Sequence, residues 1–502
     1  MVCSTIREIL VRASEIYGEQ DAVRFKAGKN EIVSKSYSRL REDSESFSRA
    51  IQALGCQGGH IAVVGPTSWM WLTAYFGIVN GGSVAVPLDA SLPKEDLCEL
   101  IERADVKMLV LDEQRADLAA VVRQCYPKVR ILVSMQKQQD DGDWHSMEQL
   151  LKTYRGTFES QPDPDALCTI MYTSGTTGKS KGVMLTHRNM AENATCLDMK
   201  IPPRTTVLSV LPIHHAYCLS MDILKGLSLG SIICINDSLM RMAKNIKLFQ
   251  PNMILMVPLM IESLAKKLEE VSGLPETDVK ERIFGRQFHT ICSGGAYLDP
   301  TYIDLFRKYG ITILQGYGMT ECSPVISTTV SWDIRKESVG RLLPNCEARI
   351  VDHEIWVRGS SVMLGYYKMP EETKEALSDG WLKTGDLGYV DEDGFVYLTG
   401  RKKNLIITKN GENVSPEELE NQLGRNRLIQ EILVREKNGV IEAEIYPDYE
   451  YAGKTGILEI REALQKEIDA YNVQVPPYKR IYGLVVRENE FEKTPSKKIR
   501  RY

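Results

Sequence analysis

No apolar run in the chain approaches the eighteen or so residues needed to cross a bilayer, so nothing in it is expected to span a membrane. Basic charge is not in excess either. The 62 Lys and Arg stand against 67 Asp and Glu, a net charge of −5, which leaves no global positive field to draw in nucleic acid. Eleven cysteines are present without a single Cys-x-x-Cys pair, which argues against a zinc site and a disulfide framework and for buried thiols in a reducing cytoplasm. The first seventeen residues lack an unbroken apolar core: Arg7 and Arg12 interrupt them at helical spacing, so an amphipathic helix is expected there and not a secretion signal. Internal repeats and low-complexity segments are absent.

What is present is material for two or more domains. Up to about residue 330, short apolar runs alternate with longer helical patterns: 61–64 then 69–80, 231–235 then 239–249, 253–257 then 259–271. That alternation predicts an α/β fold, parallel-rich sheets covered by helices on both faces, with ligands beyond the carboxyl ends of the strands. From about 340 to 400 the pattern turns to short strands and tight turns, such as Asp391-Glu392-Asp393-Gly394, predicting a small antiparallel barrel or sheet. After Gly400 charge increases and a compact α+β unit is expected. We place the boundary at Lys403, giving an N-terminal domain 1–402 and a C-terminal domain 403–502. Ser415-Pro416-Glu417-Glu418 reads as a capping box with proline at the first helical position, and a last helix over 457–471 is expected before a basic tail.

The densest chemistry lies in Thr173-Ser174-Gly175-Thr176-Thr177-Gly178-Lys179-Ser180-Lys181-Gly182. Glycines let backbone N–H groups approach an anion, hydroxyls add donors, and a lysine supplies a point charge for distal phosphates. A nucleoside triphosphate is the expected ligand. The segment is not a P-loop, because Thr173 stands where that motif needs glycine and the residues from Gly182 on read as a strand.

Further motifs follow in order: Ser293-Gly294-Gly295-Ala296, Gln315-Gly316-Tyr317-Gly318-Met319-Thr320-Glu321, Thr384-Gly385-Asp386, Gly400-Arg401-Lys402-Lys403 and Lys493-Thr494-Pro495-Ser496-Lys497-Lys498-Ile499. Together with the glycine-rich loop they resemble, over essentially the whole chain, the adenylate-forming superfamily of acyl-CoA synthetases, luciferases and peptide-synthetase adenylation domains. The resemblance is greatest to fatty acyl-CoA synthetases. It implies two half-reactions: a carboxylate oxygen attacks the α-phosphate of ATP to give acyl-AMP and pyrophosphate, and a thiol then displaces AMP.

The same resemblance implies the roles. The loop residues Thr173 to Lys179, with Lys181, would hold the β- and γ-phosphates. Tyr317 would lie against adenine, with Gln315, Gly316, Gly294 and Gly295 completing that pocket. Thr320 would donate to the α-phosphate and Glu321 would help hold Mg²⁺, a hard cation suited to carboxylate and phosphate oxygens. Asp386 would accept both ribose hydroxyls, with Arg401 as a second ribose or phosphate contact. Lys403 sits at the hinge position about which the small domain turns between half-reactions, and Lys498 would bridge the substrate carboxylate and the α-phosphate. Lys497 stands where the family usually has glycine, and Glu492 where proline is frequent.

His215, in Leu211-Pro212-Ile213-His214-His215, matches a histidine beside the acyl tunnel; a metal at the pair is not expected, since successive strand side chains diverge and no third ligand is in view. Tyr217 falls where adenylation domains for amino acids place an aspartate, which disfavours a free amino acid as substrate. The acyl pocket is expected around 256–260, 215–220 and 293–297, a mostly apolar set. CoA is the expected acceptor, and a separate carrier protein bearing phosphopantetheine is the alternative.

Overall fold

The structure, a computed structural model, describes residues 2–501 apart from 29–30, 143, 174–179, 272, 274, 409–410 and 494–498. By packing, the chain divides into two compact units, residues 1–348 with 356–383, and residues 349–355 with 384–502. The boundary expected at Lys403 lies inside the second of these.

The first unit is mixed α/β with two large parallel-rich sheets. In the nine-stranded sheet, six strands run parallel in the order 312–318, 290–293, 253–256, 206–209, 232–235 and 21–27, and antiparallel strands flank them at both ends. The eight-stranded sheet has a parallel set in the order 167–173, 84–88, 60–64, 106–111, 131–134, 144–146, with Lys181–Thr186 and Gly365–Tyr366 added antiparallel at one edge. Strands such as Val84–Leu88 and Met253–Met256 are buried at every position, which is why they read as continuous apolar runs and not as alternation. Helix Trp69–Asn80 is buried almost all round, because it lies inside the unit. Ser68 and Thr186 start their helices by accepting from Trp71 N and Asn189 N, the latter within a complete capping box.

Three local expectations change. The single helix expected over 239–249 is a 3₁₀ turn, Leu239–Arg241, followed by helix Met242–Phe249; Ser238 accepts from Met240 N and the Asn245 amide donates to Asn236 and Asp237. Ser415 precedes helix Pro416–Leu423 as expected, but its hydroxyl donates to Glu417 Oε2 at 3.0 Å, so no capping box forms. The last helix, expected over 457–471, runs over Ile460–Gln474, and an unforeseen helix Tyr449–Thr455, ended by Gly456 at φ +72°, precedes it.

Five strands between 346 and 401 form a smaller sheet, in which Leu377–Ser378 and Val396–Arg401 pair antiparallel with Trp381–Val390. The turn before its last strand is held by Asp391 Oδ1, which accepts from Asp393 N and Phe395 N at 3.0 and 2.8 Å. The second unit also has a three-stranded sheet, Ile429–Lys437, Val440–Pro447 and Ile481–Val486, packed on helices Pro416–Leu423 and Ile460–Gln474 through Leu419, Val434, Ile445 and Leu464. No helix among the described residues is long and apolar enough to cross a membrane.

Because the second unit has its own core, Leu464→Ala, at a fully buried position, is expected to destabilise that unit by about 2–5 kcal/mol. Scanning calorimetry should show the loss in a transition separate from that of the first unit; a uniform shift of one transition would contradict independent cores.

Candidate active site

Four neighbouring parallel strands of the nine-stranded sheet end side by side, and motif residues follow their carboxyl ends. His214 and His215 come after Thr206–Ser209, Gly294 and Gly295 directly after Thr290–Ser293, and the 3₁₀ turn Thr320–Cys322 after Thr312–Gly318, which carries Gln315, Gly316 and Tyr317. The register places Ser293 beside both Met256 and Gln315, so these segments form one rim. That is where ligands bind in open α/β sheets.

Close approach explains the glycines. A Cβ on Gly294 would lie 3.0 Å from Tyr217 Cζ, and Gly295 has φ +86°. The Tyr217 hydroxyl donates to Cys292 O at 3.1 Å, which holds the ring against this turn. Gln315 turns its amide to the carbonyls of Lys336 and Ser338, at 2.8 and 3.0 Å, and so braces the 336–338 loop over the rim. Tyr317 is buried.

Glu321 is tied to the other large sheet. Tyr366 Oη donates to Glu321 Oε1 at 2.8 Å, and the Lys181 ammonium lies 4.8 Å from the centre of the same ring. Burial, then the Glu321 charge, raises the Tyr366 phenol well above its ordinary range, so it stays a donor. The placement follows from strand pairing: Tyr366 pairs with Val183 on the strand that Lys181 begins, and Lys181 pairs with Thr173 across the hairpin that the glycine-rich loop closes. Tyr366 was not singled out in the sequence; Gly365-Tyr366-Tyr367 carried no signal apart from its two tyrosines.

Six loop residues, Ser174, Gly175, Thr176, Thr177, Gly178 and Lys179, and the C-terminal Lys498, lie outside the described residues. Among those described, no group of three or more His, Cys, Asp or Glu could hold a metal. A single carboxylate such as Glu321 fits a hard cation that takes its remaining ligands from phosphate and water.

The histidine pair has a partner that sequence reasoning missed. His214 Nε2 lies 3.7 Å from Asp89 Oδ2, and the two imidazoles are 4.4 Å apart. Burial lowers the proton affinity of both rings, against the pull of Asp89. His215 nonetheless keeps surface open to solvent.

Behind the rim lies an apolar cavity of about 60 Å³, bounded by Tyr217, Met221, Met253, Leu255, Cys292 and Gly316 among others. It uses the strands expected for the acyl pocket but lies deeper, beneath Met253–Met256 and Thr290–Ser293 instead of beyond their ends. In the same helical segment Asp222 is fully buried, and its Oδ1 has no hydrogen-bond partner among the described residues. Burial pushes its carboxyl up to about 7, so the native acid is protonated at mildly acid pH.

In the second unit, strand pairing brings Asp386 opposite Arg401, and Arg401 Nε meets Asp386 Oδ1 at 2.6 Å. Asp386 N bonds Thr384 Oγ1, whose hydroxyl donates to Ile355 O. Glu354, also unforeseen, accepts from Gly385 N at 2.9 Å and Lys402 Nζ at 2.8 Å and so fixes the turn. Burial, then Arg401 and Arg501, lowers the Lys403 ammonium's proton affinity. The flanks of 494–498 are anchored: Lys493 and Ile499 form an antiparallel bridge, Lys493 pairs with Glu431, and Arg501 pairs with Glu420.

The fold and rim form an open α/β sheet with a ligand-binding edge, and comparison with known proteins gives the family. Residues 11–367 match the AMP-binding enzyme family, to which the chain belongs. It is thus an adenylate-forming acyl-CoA synthetase family member, an AMP-forming acid–thiol ligase. It is similar to a long-chain-fatty-acid–CoA ligase of Salmonella typhimurium, 28% identical over 85% of this chain and 82% of that one. It is also similar to a putative acyl-CoA synthetase, YngI, of Bacillus subtilis, 26% identical over 100% and 96%. Among solved structures, the anthranilate CoA ligase AuaEII in complex with anthranoyl-AMP shares the fold at TM-score 0.85, with 20% identity over 99% of this chain and 96% of that one. ATP-bound MatB of Rhodopseudomonas palustris does so at TM-score 0.83, with 24% identity over 99% and 97%.

The Asp222 carboxyl gives a pH test. Its folded value of about 7 lies above the ordinary 3.8, so the stability it contributes is complete below about 3.8 and is lost as pH rises to about 7. Asp222→Asn should therefore gain on the parent by up to about 1.4 kcal/mol per pH unit across that window. Urea midpoints at several pH values read this; a pH-independent difference would mean an ionised Asp222.

Proposed function

We propose that the chain joins an apolar-tailed carboxylic acid to AMP and passes the acyl group to a thiol, CoA in the first instance. What most supports this reading is the rim itself: Gly294, Tyr317, Thr320 and Glu321 gather at the carboxyl ends of adjacent strands, and an apolar cavity opens behind them. The named CoA ligases among its relatives favour CoA over a carrier-bound phosphopantetheine.

In the first half-reaction a carboxylate oxygen attacks the α-phosphorus and the bond to pyrophosphate breaks. Thr320 donates to the α-phosphate, and Lys498 bridges it to the carboxylate. The loop from Thr173 to Lys181 holds the departing pyrophosphate. Glu321 would help hold Mg²⁺, which would supply positive charge against the phosphate oxygens. Tyr366 holds the Glu321 carboxylate in place by its hydrogen bond. Asp386 and Arg401 take the ribose, and His215 lines the entry to the acyl cavity. Rotation about Lys403 then removes Lys498 and admits the thiol, whose sulfur attacks the acyl carbon as AMP leaves.

The decisive experiment is exchange of labelled pyrophosphate into ATP across a panel of carboxylic acids; no exchange with any acid would defeat the proposal. Loss of Lys498, in Lys498→Ala, should slow acyl-AMP formation ~10²-fold, the scale of a lost preorganised donor, while thioester formation from supplied acyl-AMP persists. Equal loss of both steps would remove Lys498 from its role. Asp386→Ala should raise the KM for ATP, and an unchanged KM would take Asp386 out of the ribose site.

A further inference from the structure

One wall residue of the apolar cavity is a cation. Lys225 bounds the cavity and is buried, at 6% exposure. Its ammonium donates to Ala194 O at 3.1 Å, in the last turn of helix His187–Thr195, and to Leu197 O at 2.8 Å just past that helix. Those bonds use two of its three N–H groups. The Asp198 charge acts on it, but among the described residues no carboxylate lies within ion-pair distance and it makes no third hydrogen bond. Burial lowers its proton affinity only to about 8, so the group remains mostly charged at neutral pH.

A pure alkyl pocket has no use for such a group. Burying an ammonium is costly unless its hydrogen bonds are completed, and a cap on two carbonyls leaves that completion short by one acceptor. The cavity has the reach for a ligand to supply it. Its walls extend from Gly316, on the strand of the nucleotide motif, to Val207 three strands away, roughly 14 Å at the usual strand spacing. Tyr217, Met221 and Lys225 follow one another at intervals of four along the helical wall between.

We infer that Lys225 is a specificity-determining residue, and that the acid this enzyme activates carries a second oxygen function on its otherwise apolar tail, whose oxygen accepts the free N–H of Lys225. This rests on the proposed acid-activating function, and it narrows the substrate class from plain alkyl acids to oxygen-bearing ones: ω-carboxy, ω-hydroxy or oxo acids.

The test compares straight-chain monocarboxylic acids from hexanoic to dodecanoic with their ω-hydroxy and α,ω-dicarboxylic counterparts, in pyrophosphate exchange and, without ATP, by calorimetric binding. At the best length the oxygen-bearing acid should exceed the plain one by roughly tenfold to a hundredfold in kcat/KM, the scale of a hydrogen bond to a charged group. The ratio should fall to about one in Lys225→Met and persist in Lys225→Arg. Equal or better use of the plain acids by the parent enzyme overturns the inference and leaves the acid-activating function standing, as does a ratio that Lys225→Met does not change. Preferential binding of the oxygen-bearing acids without exchange upholds the Lys225 assignment and defeats the acid-activating function instead. If Lys225→Met fails to fold, the ratio in the parent enzyme decides alone. A preference for the dicarboxylic over the hydroxy acid identifies an anionic partner, and the reverse a neutral one; both uphold the inference.

Discussion

Parallel pairing is the constraint on which the first unit depends. Six strands of the nine-stranded sheet run the same way, so their carboxyl ends face one edge and their connections emerge there together. Residues distant in sequence, His215, Gly294 and Thr320, follow strands that end at that one edge. Helices must cover both faces of such a sheet, and between strands 206–209, 253–256 and 290–293 and the helical segment over them a cavity remains.

The second large sheet contributes through two antiparallel additions at its edge. The hairpin of Leu167–Thr173 with Lys181–Thr186 presents the glycine-rich loop, and Gly365–Tyr366 joins the same edge. From there the Tyr366 hydroxyl reaches Glu321, so the carboxylate is held by a group from outside its own sheet. A buried phenol is well suited to this: it donates one hydrogen bond and brings no charge of its own.

The second unit repeats the principle on a smaller scale. Asp386 and Arg401 meet because the strands carrying them pair directly, and Glu354 ties the turn at Gly385 to Lys402. The basic tail, which on composition alone reads as solvated, has its flanks bonded to Glu431 and Glu420. Burial in turn leaves the Glu420 carboxyl with a raised value of about 7 despite the facing Arg501.

Alternation of period by itself determined the α/β class, and ordered short motifs determined the chemistry, because glycines, hydroxyls and paired charges are chosen locally and survive in linear order. Strand positions 61–64 and 253–256 and helix 69–80 were legible for the same reason: burial on both faces leaves a continuous apolar run. Tertiary structure alone decided what lies across from what. Tyr366 on Glu321, Asp89 beside His214, Glu354 under Gly385 and Lys225 in the cavity wall join residues up to 125 positions apart in the chain, and no local pattern marks such a pair. Ser415 shows the converse, a local cap signal diverted to a nearby carboxylate. Side-chain hydrogen bonds go to whichever acceptor packing brings close, and packing is a property of the folded chain.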